Sequence, residues 1–282
     1  MSTLLPVHHR YVCVHASDLA AFAGRHKYRP RDECLLQYLK TLDAAAYQRQ
    51  GRIVRDDRGK ALLQEVIATV PEIAQSIKDA SETCARESTT NSDASRVAEQ
   101  TLATIDHALD GRHVDDAAKE LLKEHCRSKI YTEYGTHKEA AVTDAVRRVA
   151  PAQTVITKDD VYRKRVLFDF VGDDKSRWRV FVGGKCDGLM KDASTGRAKI
   201  VEIKNRMKRL FRSVPEYERV QVLAYLYIHD LHDAILVENY NGETCEHAIE
   251  FDETYWQGVV DDLRQGMADL FNMMRDARQV QE

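Results

Sequence analysis

The chain has 282 residues, 43% hydrophobic and 31% charged, with a formal charge of -3 and an isoelectric point near 6.4. Such a length suits one elaborated domain with a helical insertion, and the slight negative balance excludes a protein that holds nucleic acid by bulk positive charge. No apolar run reaches the roughly 18 residues that span a bilayer, and MSTLLPVHHRYVCV lacks the layout of a secretory signal, so the expectation is an intracellular protein, cytoplasmic or nuclear, with no membrane partner.

After a short apolar stretch from Val7, HASDLAAFAGRHKY predicts a helix capped by Ser17 or Asp18 and stopped near Gly24. GRIVRDDRG, residues 51 to 59, reads as polar and turn-rich, and a helical region from about Lys60 to Ala80 must start, kink or end at Pro71. SETCARESTTNSDAS, residues 81 to 95, has no apolar period and predicts an exposed loop between helices. Helical spacing returns over 96 to 109 and 114 to 150, with Gly135 the weak point of the second segment.

Beyond Pro151, the runs RVLFDFVGDD, RWRVFVGG, KCDGLMKD, RAKIVEIK and AILVENYNGETCEHAIEF are rich in β-branched and aromatic residues and predict strands and hairpins. Ser213 to Leu231 is helical again, and Asp252 to about Arg278 predicts a closing amphipathic helix with Trp256, Val259, Leu263, Met267 and Leu270 inward. The class expected is α/β, a central mixed sheet flanked by helices, with a helical N-terminal half. Residues 50 to 125 form a helical elaboration of one domain spanning 1 to 282, and 126 to 251 its core.

Six cysteines, Cys13, Cys34, Cys84, Cys126, Cys186 and Cys245, include no CxxC pair and no Cys/His spacing suited to zinc, and read as free thiols in a reducing compartment.

The chemistry concentrates in GGKCDGLMKDASTGRAKIVEIKNRMKRLF. Residues two apart on a strand share a face, so Glu202 and Lys204 project together while Val201 and Ile203 face the core. An STG turn at 194 to 196 allows the two strands to pair, bringing Asp187 to the Glu202 and Lys204 end. Two carboxylates beside a lysine suit metal-assisted phosphodiester hydrolysis, with the Ile203 carbonyl a further ligand. Gly183, Gly184 and Gly188 around Asp187 suit close approach of a ligand backbone. In PEYERVQVLAYLYIHDL, Gln221 and Tyr225 lie one turn apart on one helix face. The run KNRMKRLFR adds Arg206, Lys208, Arg209 and Arg212 as a local basic strip for phosphates.

Asp187, Glu202-x-Lys204 and Gln221-x-x-x-Tyr225 together resemble the PD-(D/E)xK nuclease superfamily, in the branch of the RecB-type (YqaJ/RecB-like) domains and lambda-type viral and phage exonucleases. The likeness covers residues 7 to 28 and 131 to 240. It implies a restriction-endonuclease-like core and a DNA exonuclease digesting one strand of a duplex from a 5′-phosphorylated end. The implied cofactor is Mg²⁺, with Mn²⁺ able to substitute, held by Asp187, Glu202, the Ile203 carbonyl and Glu139 of YGTHKEAAVTDAV. By the same resemblance Lys204 orients or activates water, Gln221 positions the lysine or water, and Tyr225 supports its helix or contacts DNA. Arg10 and Ser17, in RYVCVHAS, match an arginine seven positions before a Thr/His-Ala-Ser helix start, both implied at the DNA, with the arginine engaging the 5′-phosphate end. A homotrimer and a single-strand annealing protein are the assembly and partner the branch implies. An endonuclease or resolvase of the same fold, and a silent DNA-binding protein, are the alternatives.

Overall fold

The computed structural model describes residues 10–50, 55–69, 71–88, 90–110, 114–149, 154–159, 161–172 and 175–279. The apolar start at Val7, the first half of the turn-rich segment and Pro151 lie outside them.

The chain opens with strand β1 (Arg10–His15), then the single helical turn α1 (Leu19–Phe22). Asp18 occupies the N-cap but makes no side-chain cap bond; its carboxylate instead accepts from Arg29 Nη1 at 2.5 Å and Tyr38 Oη at 3.0 Å. Gly24, with φ of +78°, makes the turn that ends the segment. Helices α2 (Arg31–Leu42) and α3 (Ala44–Arg49) follow, the latter capped by Asp43.

Four longer helices come next: α4 (Arg55–Thr69), α5 (Pro71–Glu87), α6 (Asn91–Leu109) and α7 (Asp116–Val149). Pro71 opens α5, where its missing N–H costs nothing. Two expectations are corrected here. Residues 55 to 59 belong to α4, and 81 to 95 are mostly helical, with Cys84, Ser88, Asn91 and Ala94 buried. The polar composition of that stretch serves a helix start: Thr90 and Asp93 form a reciprocal capping box on α6. Gly135 does not break α7, which is one 34-residue helix.

The strands are β2 (Thr154–Thr157), β3 (Arg163–Val171), β4 (Arg177–Gly184), β5 (Gly188–Asp192), β6 (Ala198–Asn205), β7 (Asp233–Tyr240) and β8 (Glu243–Glu250). Helix α8 (Glu216–His229) connects the parallel pair β6 and β7, and α9 (Glu253–Gln279) closes the described chain. The mixed α/β class with flanking helices is the one expected. Its strands divide between two mixed sheets, in orders β1-β4-β3 and β2-β5-β6-β7-β8, rather than forming one. Only Lys185, Cys186 and Asp187 separate β4 in the first from β5 in the second.

The main core joins both sheets to α1, α2, α8 and α9, with Val14, Phe22, Val180, Ile200, Leu223, Leu226, Leu236, Val259 and Leu263 fully buried. A second cluster lies wholly within α4 to α7, around Ile73, Ile105, Leu109 and Leu122. A third, of Val142, Ile156, Val201, Ile203 and Val237, packs α7 against the other face of the larger sheet. Among the described residues no helix is long and apolar enough to cross a membrane.

Candidate active site

Strands β5 and β6 pair antiparallel with Gly188 opposite Val201. Continuing that register one step places Asp187 opposite Glu202, the arrangement in which cross-strand side chains come closest. The ladder ends here, and a side chain takes it over: Asp187 Oδ2 accepts the Ile203 N–H at 2.7 Å. N–H and C=O of one strand residue leave on the same edge, so the Ile203 carbonyl is directed to the edge that Asp187 occupies.

Glu202 and Lys204 share the opposite strand face from Val201 and Ile203, looking toward α8 rather than to solvent. Glu202 is only 3% exposed. Its Oε1 is saturated, accepting from Lys204 Nζ at 2.7 Å and Gln221 Nε2 at 3.2 Å. Its Oε2 is buried and has no hydrogen-bond partner. Gln221 ties the group together, its Oε1 accepting from Lys204 Nζ at 3.1 Å and its Nε2 donating to Tyr225 Oη at 3.0 Å.

The electrostatics match this crowding. Burial, aided by Asp187 and Glu139 and opposed by Lys204, pushes the Glu202 carboxyl up to about 7. Burial also raises Asp187, against the Ile203 N–H and the charges of Lys204, Lys185 and Lys158. Glu139, on α7, is raised by burial and then by Asp187. Burial works against the Lys204 ammonium, but Glu202, Asp187 and Glu218 outweigh it and hold its pKa above the usual lysine value. Three acids that resist ionisation together, one carrying an orphaned oxygen, fit a divalent cation: such a charge would relieve both their mutual repulsion and the missing partner.

The neighbouring glycines serve the chain's own packing. A Cβ on Gly184 would meet the Tyr225 ring at 2.8 Å, and one on Gly188 the Thr157 carbonyl at 3.2 Å. The expected role of Gly183, Gly184 and Gly188 in admitting a ligand backbone is therefore corrected. Tyr225 is likewise corrected as a DNA contact: it is 5% exposed, with its ring against Gly184 and its hydroxyl on Gln221.

Arg206 also departs from the expected strip. Its Nη1 and Nη2 lie 2.6 Å from the two oxygens of Glu218, its Nε is 2.6 Å from Glu238 Oε1, and Phe211 donates its N–H to Glu238 Oε2 at 2.8 Å. With its side chain 10% exposed, this arginine is fully committed inside the fold. Lys208, Arg209 and Arg212 are exposed. Arg209 and Arg212 join Arg25, His26, Lys27, Tyr28, Phe211 and Tyr217 around a cleft of about 1050 Å³. The carboxylates do not line it, yet it opens at the start of α8, the helix that carries Gln221.

Arg10 and Ser17 are not brought together. Arg10 begins β1 opposite Trp178 and lies over its ring, 5.5 Å from the centroid, whereas His15 ends the strand opposite Gly183. Five strand steps separate them, about 16 Å at the usual rise. Exposed Ser17 follows at the carboxylate end and Arg10 points to the far end.

Neither a protein-family profile nor a curated protein sequence matches the chain. Among solved structures, an alkaline exonuclease (LHK-Exo) from Laribacter hongkongensis aligns over 59% of this chain and 86% of its own, with 13% identity and a TM-score of 0.36. The protein SSO0001 aligns over 60% and 82%, with 16% identity and a TM-score of 0.35. At these values the site must be read from its own geometry.

Three groups near this geometry escape the sequence reading. Lys158 and Lys185 act on Asp187 and Glu139 electrostatically. The cleft residues Arg25, Lys27 and Tyr28 sit in GRHKY, whose alternation of cations and an aromatic was a signal that could have been taken up. Asp159, Cys186 and His229 converge behind the carboxylates.

Proposed function

We propose that this protein is a metal-dependent deoxyribonuclease that digests one strand of duplex DNA from a 5′ end. The observation that carries the proposal is the buried, partnerless Oε2 of Glu202 beside Asp187, with the other oxygen of Glu202 locked by Lys204 and Gln221. Asp187, Glu202, the Ile203 carbonyl and Glu139 are the groups that would hold Mg²⁺ or Mn²⁺. When bound, the ion acidifies a water and offsets charge on the phosphate.

The remaining work falls to the chain's own side chains. Lys204 keeps its positive charge at Nζ while half-buried, where it acts more strongly on an anionic phosphate or on hydroxide than it would in open water. Gln221 restrains Lys204 and Glu202 at once, so both keep one rotamer as substrate arrives. Tyr225 in turn orients the Gln221 amide. Lys208, Arg209 and Arg212 supply exposed cations for the phosphate backbone close to the reacting segment. The 5′ polarity is supported by the sequence resemblance and by Ser17 at the carboxylate end; Arg10 does not support it.

A linear duplex labelled separately at each 5′ and 3′ end, compared with covalently closed plasmid in Mg²⁺ and in EDTA, tests the proposal. Mg²⁺-dependent loss of nucleotides from the 5′ end with the circle spared is the expected result. Cleavage of the circle would transfer the same chemistry to an endonuclease, and no cleavage of either substrate would overturn the assignment.

A further inference from the structure

Asp159 after β2, Cys186 in the link between the sheets and His229 at the end of α8 come from three distant segments and meet in the interior. Cys186 is fully buried and Asp159 is 5% exposed. Cys186 Sγ lies 3.8 Å from His229 Nε2 and 3.8 Å from Asp159 Oδ2, and that oxygen lies 3.4 Å from the same Nε2.

A catalytic relay is excluded by which atoms meet. In a nucleophile–histidine–acid relay the acid holds one ring nitrogen and the nucleophile the other. Here thiol and carboxylate approach the same nitrogen, and the thiol has no access to solvent. As hydrogen bonds the contacts are poor, since the imidazole–carboxylate distance exceeds the usual range of about 2.7–3.2 Å.

The spacing suits three ligands around one ion. Tetrahedral zinc, with bonds of about 2.3 Å to sulfur and about 2.05 Å to nitrogen or oxygen, requires its sulfur about 3.6 Å from each lighter ligand and those two about 3.4 Å apart. The observed triangle comes within about 0.2 Å of this on every side. The Gly188 carbonyl, 3.6 Å from Sγ, borders the fourth position. Glu238, Cys245 and His247 also cluster, but Glu238 is held by Arg206 at 2.6 Å and the Phe211 N–H at 2.8 Å, closer than the Arg163 Nε that lies 3.5 Å from Asp159 Oδ2.

We propose that Asp159, Cys186 and His229 bind a zinc-type transition-metal ion that staples β2, the inter-sheet link and the end of α8. The ion is separate from any at Glu202 and stands whether or not the chain cleaves DNA. It fixes the residue directly before Asp187 and the last turn of the helix bearing Gln221 and Tyr225.

The test is a Co²⁺ titration of the metal-stripped full chain under reducing conditions, followed by competition with Zn²⁺. One equivalent of Co²⁺ should give a near-ultraviolet thiolate-to-cobalt band and the visible bands of tetrahedral Co²⁺, both bleached by Zn²⁺. The bands should persist in C245S and in the double variant D187N/E202Q, and vanish in C186S and H229Q. Absence of the thiolate band from the parent chain, its survival in C186S, or its loss in C245S or D187N/E202Q would overturn the proposal. The parent, C245S and D187N/E202Q titrations decide the question even where C186S fails to fold.

Discussion

Asp187 Oδ2 accepts the amide hydrogen of Ile203 at 2.7 Å, so a carboxylate completes the ladder where β5 leaves β6. One oxygen of Asp187 is thereby engaged in structure, so in the proposed reaction the metal falls to the other. Asp187→Asn keeps a carbonyl for the Ile203 N–H and removes the charge, whereas Asp187→Ala orphans that N–H at a cost of about 1–3 kcal/mol. The asparagine variant should unfold near the parent temperature and cleave DNA about a thousandfold more slowly, in line with the several kcal/mol a catalytic metal supplies. Single-turnover cleavage and thermal unfolding of both variants check this; parent-like cleavage by Asp187→Asn would remove Asp187 from the metal site.

Glu202 ties stability to pH and metal. Its carboxyl is raised from 4.5 to about 7, so between those values the folded chain holds a proton that the unfolded chain has lost. Stability from this group is therefore present at low pH and falls as pH rises toward 7, by about 3 kcal/mol in all. A divalent cation competes with that proton, so Mg²⁺ or Mn²⁺ should raise the unfolding temperature more at pH 8 than at pH 5. Glu202→Gln should flatten both dependences. Unfolding curves for the metal-free and metal-loaded chain at four pH values measure the effect, and a metal-induced shift that shrinks as pH rises would contradict it.

The basic run after β6 divides by burial. Arg206 answers Glu218 and Glu238 inside the fold, and its removal leaves two buried carboxylates without a cation, a change that costs about 3–5 kcal/mol. Arg206→Ala should thus lower the unfolding temperature sharply. Arg209→Ala and Arg212→Ala should leave it unchanged while weakening DNA affinity at all sequences, each lowering the slope of log affinity against log salt by about 1. Fluorescence anisotropy across a salt series, beside calorimetry, separates the two classes.

The sequence makes the hairpin legible because its signals are local: two-residue alternation in KIVEIK, a Ser-Thr-Gly turn, and an acid placed to meet the returning strand. The Gln221 and Tyr225 stripe is legible for the same reason, as one turn of helix. What escapes is long-range or overridden by packing. The stretch from 81 to 95 is polar enough for a loop, yet Cys84 and Ala94 find apolar neighbours on other helices and Thr90 caps the next one. Arg206 looks like its exposed neighbours until Glu218 and Glu238, 12 and 32 residues away, close on it. Zinc spacing rules search for adjacent ligands, whereas Cys186 meets partners 27 and 43 residues distant.

Arg10 provides a test in which sequence likeness and placement predict opposite results. The resemblance places Arg10, seven positions before the helix start at Ser17, on the 5′-phosphate, which requires it to reach a terminal phosphate near the carboxylates. Strand β1 alone carries the chain about 16 Å from Arg10 to His15 at the ordinary strand rise, and Arg10 lies against Trp178 at the end remote from Asp187. An arginine side chain spans only part of that distance. Arg10→Ala should therefore digest 5′-phosphorylated and 5′-hydroxyl duplexes in the same ratio as the parent, while Ser17→Ala, at the carboxylate end, should lower the preference for phosphate. The ratio of initial rates on the two substrates reads both variants directly. Equal rates for Arg10→Ala on both ends, from a parent that prefers phosphate, would mean that β1 shifts on DNA to bring Arg10 to the site.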